Sequence, residues 1–287
     1  MPEGHTLHRL ASALDGAFAG HPVRVSSPQG RFAESAALLD GRVLRSATSA
    51  GKHLFVDFDD DDVVHVHLGL YGKFAVHRAA VEVHPPVGQV RMRLVQADAG
   101  DGPDARASYA DLRGATACEL LVPAQVEAIL DRLGPDPLRP DADPDRAWAR
   151  IKRSRAPIAG LLMDQSVVAG IGNVYRAEIL FRHRVDPFRA GNSLRVSTWR
   201  AMWDDLVVLM ADGVRTGRID TVRPEHLTEA ELRSRRRRGL NYVYRRAGDP
   251  CRVCGATVRT EELQARNLFW CPRCQPRFRS RAVGAGS

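Results

Sequence analysis

Lysine is nearly missing from this 287-residue chain: only Lys52, Lys73 and Lys152 stand among 42 basic residues. Arginine therefore carries almost all of the positive charge, and a lysine beside a reactive group needs a chemical reason. No stretch reaches the ~18 uninterrupted apolar residues of a membrane span. The start, Met1-Pro2-Glu3-Gly4-His5, lacks the basic and apolar regions of a secretory leader, so a cytoplasmic protein is expected. There is no internal repeat. The five cysteines are an odd number, so a disulfide framework would leave one unpaired. Hydrophobic residues at 44% and charged residues at 26% exclude a chain that is fibrous or disordered throughout. At ~150 residues per domain, the length suggests two domains.

The net charge of +8 is unevenly spread. Residues 213–287 hold 17 Arg and 7 Asp+Glu, a net +10, which leaves −2 for residues 1–212. Arg235-Arg236-Arg237-Arg238 and Arg245-Arg246 are the densest runs. Such fixed cations suit a polyanion, most simply nucleic acid, through counterion release. A solvated basic face is the plainer alternative.

Four of the cysteines read Cys251-x-x-Cys254 and, after 16 residues, Cys271-x-x-Cys274. Two such knuckles complete a tetrahedral four-thiolate zinc shell, closed and therefore structural. In a reducing compartment this is favoured over two disulfides. Gly255–Val258 and Leu268–Trp270 are short β-competent runs, as in a zinc-ribbon hairpin. Cys118 reads as a small apolar core residue.

Leu7, Leu10, Ala11, Leu14 and Phe18 recur at helical spacing over residues 5–19. Strand-like runs follow at Val23–Ser26, Val43–Ser46, His53–Phe58, Val63–His67, Phe74–His77, Val90–Val95 and Cys118–Val122, with Asp59–Asp62 as a solvated hairpin turn. Their close spacing suggests a sandwich or barrel, and Gly100–Ala105 is a polar loop within it. Leu133-Gly134-Pro135-Asp136-Pro137-Leu138 is rich in breakers and should open the interdomain connection. Helical patterns surround it at 123–132, 144–152, 157–163, 173–183 and 195–212, with a weaker one at 225–238.

Ala169-Gly170-Ile171-Gly172-Asn173-Val174-Tyr175 places two glycines before an amphipathic helix. Backbone N–H groups at that helix start, with the Asn173 side chain, suit a phosphate oxygen. A helix–helix turn capped by Asn173 is the other reading. At the terminus, Met before Pro favours methionine removal, leaving Pro2 with a free secondary amine. An α-amino group has a reference pKa near ~8 against ~10.4 for lysine, so a neutral, nucleophilic fraction exists near neutral pH. Adjacent Glu3 can act as general acid or base. The plainer alternative is an ordinary terminus with Glu3 in the first helical turn.

Together, Met1-Pro2-Glu3-Gly4, Gly51-Lys52-His53-Leu54, His67-Leu68-Gly69-Leu70-Tyr71-Gly72, Leu133–Leu138, Asp164-Gln165 through Tyr175, and Val243-Tyr244 through the four cysteines resemble the bacterial formamidopyrimidine-DNA glycosylase and endonuclease VIII family. The match covers nearly the whole chain and comes nearest to the endonuclease VIII branch. The resemblance implies an α+β multidomain protein: an N-terminal β-sandwich with a leading helix, a helical domain with a helix–two-turns–helix motif, and a zinc ribbon. The corresponding boundaries are 1–122 for the catalytic domain, 123–240 for the helical domain with its linker, and 241–287 for the ribbon and tail. DNA would lie in the cleft between domains. Damaged double-stranded DNA is the expected partner, single-stranded DNA a second candidate, and the protein a monomer, nucleoid-associated through DNA and away from membranes.

Carried over residue by residue, Pro2 resembles the nucleophile that attacks C1′ of the damaged nucleotide, Glu3 the acid/base that assists sugar-ring opening, and Lys52 the lysine that assists base removal and strand cleavage. Asn173 matches the asparagine that binds phosphates beside the lesion, Arg266, five residues before Cys271, matches the DNA-binding arginine of the zinc ribbon, and His67 falls in a further DNA-contacting segment. Leu70 and Tyr71 resemble the wedge that fills the gap left by a flipped base, or else simply pack at a strand end. One structural zinc and no organic cofactor are implied. Asp111-Leu112-Arg113-Gly114 stands where the purine-preferring branch has its gap-filling arginine loop, and His5-Thr6 replaces the usual Pro-Glu. Two other readings remain: a purine-preferring enzyme, and a non-enzymatic zinc-ribbon DNA-binding protein.

Overall fold

The computed structural model describes residues 2–100, 106–233 and 240–279. Met1, most of the Gly100–Ala105 loop and the Arg235–Arg238 run lie outside the described residues. The chain divides into two compact units, Met1–Arg132 and Leu133–Ser287, rather than at 122/123. The helix expected to begin the helical domain therefore belongs to the first unit. The reason is visible in its packing, because α3 (Pro123–Leu130) lies on a strand of the first unit's sheet.

The first unit opens with α1 (Gly4–Phe18), whose Leu7, Leu10, Ala11, Leu14 and Phe18 are all buried, as their spacing predicts. Then come β1 (His21–Ser26), α2 (Ala33–Leu39), β2 (Val43–Ala50), β3 (His53–Phe58), β4 (Val63–His67), β5 (Lys73–Ala80), β6 (Val90–Gln96), β7 (Ala107–Arg113) and β8 (Ala117–Leu121). The strands are antiparallel in the order β5-β7-β6-β1-β2-β3-β4-β8. Strand β1 pairs with β2 only through His21 and Pro22, and with β6 through Val23–Ser26. It passes from one half of the sandwich to the other. One core joins the halves: Leu54, Val56, Val64 and Val66 from one, Met92, Leu94, Ala110 and Leu112 from the other, with α1 beside them.

Two elements have no clear sequence signal. Helix α2 is seven residues long, too short to display a period. Strand β7 is buried at every interior position, so it does not alternate. It even buries Asp111, which pairs with buried Arg93 at 3.3 Å and with Arg113 at 3.0 Å. A buried carboxylate is tolerated there because it is paired and hydrogen-bonded. The segment around Arg113, read as a loop by comparison with the purine branch, is thus a strand.

In the second unit, Leu133–Leu138 is packed chain rather than free linker: the Gly134 N–H donates to the Gln165 carbonyl and the Ala169 N–H to that of Pro135. Helices α4 (Pro144–Ile151), α5 (Ile158–Leu161), α6 (Asn173–Arg182), α7 (Val196–Thr216) and the short α8 (Glu229–Arg233) follow. Where one weak helix was expected from 225, the described residues form a 3₁₀ turn, Pro224–His226, and then α8. The ribbon hairpin is β9 (Arg259–Leu263) and β10 (Arg266–Trp270). Its first strand follows Gly255–Val258 instead of coinciding with it. The ribbon shares its core with the helices, since Leu268 and Trp270 pack among Tyr175, Ile179 and Trp203.

Candidate functional site

In the first unit, Glu3 is the N-cap residue of α1, fully buried, and its carboxyl does not cap that helix. Pro2, half-buried, directly precedes it. His5, in the first turn, is buried and lies 3.3 Å from the Thr6 hydroxyl. Burial, then the positive amino terminus and His8, push His5 down to about 4. A neutral imidazole therefore stands where the resemblance expects proline.

Lys52 sits in the turn between β2 and β3, half-buried. Its charge acts on His53 and on His67, both held below the usual imidazole range, first by burial. His53 and His67 are register partners with rings 5.2 Å apart. Lys52 and His67 thus belong to one cluster. Directly after His67, a tight turn runs from Leu68 to Gly72, closed by the Gly72 N–H donating to the Leu68 carbonyl at 3.0 Å. A Cβ on Gly72 would lie 2.2 Å from that carbonyl oxygen, and one on Gly69, at φ +67°, only 2.0 Å from Thr116 Oγ1. Leu68 is buried while Leu70 is 42% and Tyr71 88% exposed. Fully burying a side chain such as Leu is worth roughly 1.5–3 kcal/mol, so the exposure of these two leaves part of that gain unrealised.

In the second unit, α6 brings Asn173 to the ribbon. Asn173 Nδ2 donates to the Asn267 carbonyl at 2.9 Å, which takes one of its two hydrogens. Arg176 donates to Asn173 Oδ1 and, at 3.4 Å, to the same carbonyl. Arg176 and Arg266 line one cavity with Met163, Asp164 and Gln264. The β9–β10 turn is Gln264-Ala265, with both residues left-handed at φ +53° and +55°. Left-handed backbone costs non-glycine residues about 1–2 kcal/mol each, and here it delivers exposed Arg266 to the start of β10.

Sequence reasoning did not find Arg176 or Glu178. Both are fully buried on a helix buried along nearly its whole length. Glu178 accepts from the backbone N–H groups of Tyr242, Val243 and Tyr244 and from the Thr221 hydroxyl. The available signal was a pair of charged residues interrupting a buried helical face. Arg246, counted with the basic tail, instead braces the chain: it donates to the Tyr242 and Pro250 carbonyls at 2.9 Å and pairs with Asp249.

The four ribbon sulfurs lie within 4.8 Å of one another. Cys254 Sγ is 3.4 Å from Cys271 Sγ, and Cys251 Sγ is 3.9 Å from Cys274 Sγ. A tetrahedron with Zn–S bonds of about 2.3 Å needs sulfurs roughly 3.8 Å apart, so the set fits zinc. Backbone N–H groups of Val253 and Cys274 also point at Cys251 and Cys271 sulfurs, at 3.5 and 3.4 Å, as in a metal knuckle. The metal is structural, because four thiolates fill its shell. Cys118, the fifth cysteine, is buried in the first unit and its thiol is pushed up to about 12 by that burial.

These features coincide with known proteins along the chain. Residues 1–118 match the formamidopyrimidine-DNA glycosylase N-terminal domain, 133–224 the formamidopyrimidine-DNA glycosylase H2TH domain, and 248–277 the zinc finger found in FPG and IleRS. The chain belongs to the formamidopyrimidine-DNA glycosylase and endonuclease VIII family of base-excision DNA glycosylases and AP lyases. Among its relatives, Endonuclease 8 1 of Mycobacterium tuberculosis is 55% identical over 279 residues, spanning 96% of this chain and all of that protein. Endonuclease 8 of Escherichia coli is 30% identical, spanning 96% of this chain and all of that protein. The Lactococcus lactis Fpg in complex with abasic-site DNA shares the fold, with a TM-score of 0.76 at 20% identity over 96% of this chain and all of that one. No helix among the described residues is long and apolar enough to cross a membrane.

Proposed function

We propose that the protein removes oxidised pyrimidines such as thymine glycol and dihydrouracil from DNA through a Schiff base on Pro2, followed by β,δ-elimination. The observation that carries this reading is the terminus, where Pro2 directly precedes a fully buried Glu3 at the start of α1. After Met1 is removed, the Pro2 amine bonds to C1′ as the glycosidic bond breaks and the base leaves with that electron pair. Glu3 gives a proton to the sugar-ring oxygen as it opens. The resulting iminium acidifies the C2′ protons. Loss of one expels the 3′ phosphate, a further elimination expels the 5′ phosphate, and water then releases Pro2. Lys52 stabilises charge and handles protons beside this centre.

Leu70 and Tyr71 suit the wedge role, because the turn holds them exposed above a buried Leu68. The purine alternative is disfavoured by Arg113, whose guanidinium is bound in β7 to Asp111 and to the Val87 carbonyl at 2.8 Å. A panel of duplexes with single defined lesions tests the preference. Thymine glycol and dihydrouracil should be excised faster than 8-oxoguanine or formamidopyrimidine; the reverse order would overturn it.

His67, Asn173 and Arg266 are proposed to contact the DNA, the last two through phosphates. Arg266→Ala should weaken binding to damaged and undamaged duplex alike and reduce the slope of log K against log salt by about one. Binding measured over a salt series checks this, and an unchanged slope would remove Arg266 from the interface. Four thiolates that must stay reduced to hold zinc fit a reducing, cytoplasmic setting.

A further inference from the structure

On the first unit's sheet, Leu54, Val56, Val64, Val66 and Cys118 face the shared core. By alternation, His53, His65, His67 and Glu119 lie on the opposite face. Three of them form a continuous hydrogen-bonded line across β8, β4 and β3. Glu119 Oε1 is 2.9 Å from His65 Nδ1, and His65 Nε2 is 2.8 Å from His53 Nδ1. The two imidazoles stack with centroids 5.1 Å apart, and Phe55 stacks on His65 at 5.4 Å. His65 is buried, whereas the Glu119 side chain is 53% exposed. The line runs from solvent at Glu119 to the residue next to Lys52.

Each link constrains the next. A neutral imidazole has one N–H and one lone pair. If His65 donates from Nδ1 to the Glu119 carboxylate, its Nε2 must accept from His53 Nδ1–H. His53 is then left with a lone pair on Nε2. Add one proton to the pair and His65 donates from both nitrogens; His53 Nδ1 must accept, and the hydrogen of His53 moves to Nε2. His53 changes from acceptor to donor without gaining charge. The Glu119 carboxylate touches His65 and not His53, so an added proton is shared at the ring that stands against the anion, and burial, then the charges of His65, His67, Arg132 and Lys52, hold His53 down to about 4. No other ionisable group enters from β2, whose neighbouring residues on this face are Ala50 and Thr48.

We propose that Glu119 and His65 are positioning residues that set the tautomer of His53, making its Nε2 an acceptor for the Lys52 ammonium at higher pH and a donor to a DNA phosphate oxygen at lower pH. The inference rests on the DNA glycosylase/lyase reading of the Lys52 site for its consequence, but not for its chemistry.

The test uses full-length protein with ¹⁵N-labelled histidine, whose ring-nitrogen shifts report which nitrogen carries hydrogen. His53 should be protonated on Nδ1 at high pH and on Nε2 at lower pH. In Glu119→Gln, a conservative change at a half-exposed site, the midpoint should fall by about one pH unit or more, since an anion in hydrogen-bond contact favours the imidazolium. A His53 that carries its hydrogen on Nε2 at high pH, or a midpoint unmoved in Glu119→Gln, would overturn the proposal. The pH profile of kcat/KM on an abasic-site duplex should shift in the same direction in this variant; superimposable profiles would overturn the link to Lys52. If the wild-type protein cut no abasic DNA, the functional reading would fall, and the ¹⁵N spectra would still decide the tautomer switch.

Discussion

Glu3→Gln protein should bind lesion-containing duplex as the wild type does and yet excise the base about 10²- to 10⁴-fold more slowly. That range is the usual contribution of a positioned general acid or base. The amide keeps the shape of the carboxyl group at a fully buried position, so packing around the start of α1 is preserved. What it loses is the capacity to give up a proton. Single-turnover excision, gel-shift affinity and thermal melting together separate the outcomes. Slow excision with unchanged binding and melting supports proton transfer by Glu3, whereas a large fall in melting temperature with proportionate loss of activity would make the residue structural.

The second large effect is expected at the ribbon. Cys254→Ser removes one of four thiolates whose sulfurs already stand at metal-binding separations. Structural zinc sites of this kind contribute about 10–16 kcal/mol of apparent binding free energy, and that energy is also folding energy. Losing it should release β9 and β10, and with them the strained Gln264-Ala265 turn, Arg266, and the Asn267 carbonyl that holds Asn173. DNA affinity should therefore drop by more than tenfold, and zinc content should fall below one per chain. Helices α6 and α7 retain their own packing through Tyr175, Ile179, Trp199 and Met202, so most of the helical signal in circular dichroism should remain. A Cys254→Ser protein that kept full zinc and full affinity would contradict this assignment.

The sequence was most legible where chemistry demands local spacing. The cysteine pairs and the amphipathic face of α1 are both short-range patterns, and each appears where its spacing indicates. It was least legible where burial comes from distant partners. Asp111 and Ser108 make β7 look like loop, and only the pairing with Arg93 and the flanking β5 and β6 explains a strand there. Arg176 and Glu178 similarly look like exposed helix residues until β10 and the Tyr242–Tyr244 segment are placed against α6. The histidine line depends on the register of three strands, which no local pattern reveals.

The most direct measurement is borohydride reduction of the protein with a thymine-glycol or dihydrouracil duplex, followed by peptide mapping of the trapped adduct. Pro2 of the mature chain should carry the DNA, and protein retaining Met1 should trap none, because an amide nitrogen has a delocalised lone pair and is not a nucleophile. A cross-link at Lys52, or undiminished trapping with Met1 still attached, would contradict the account.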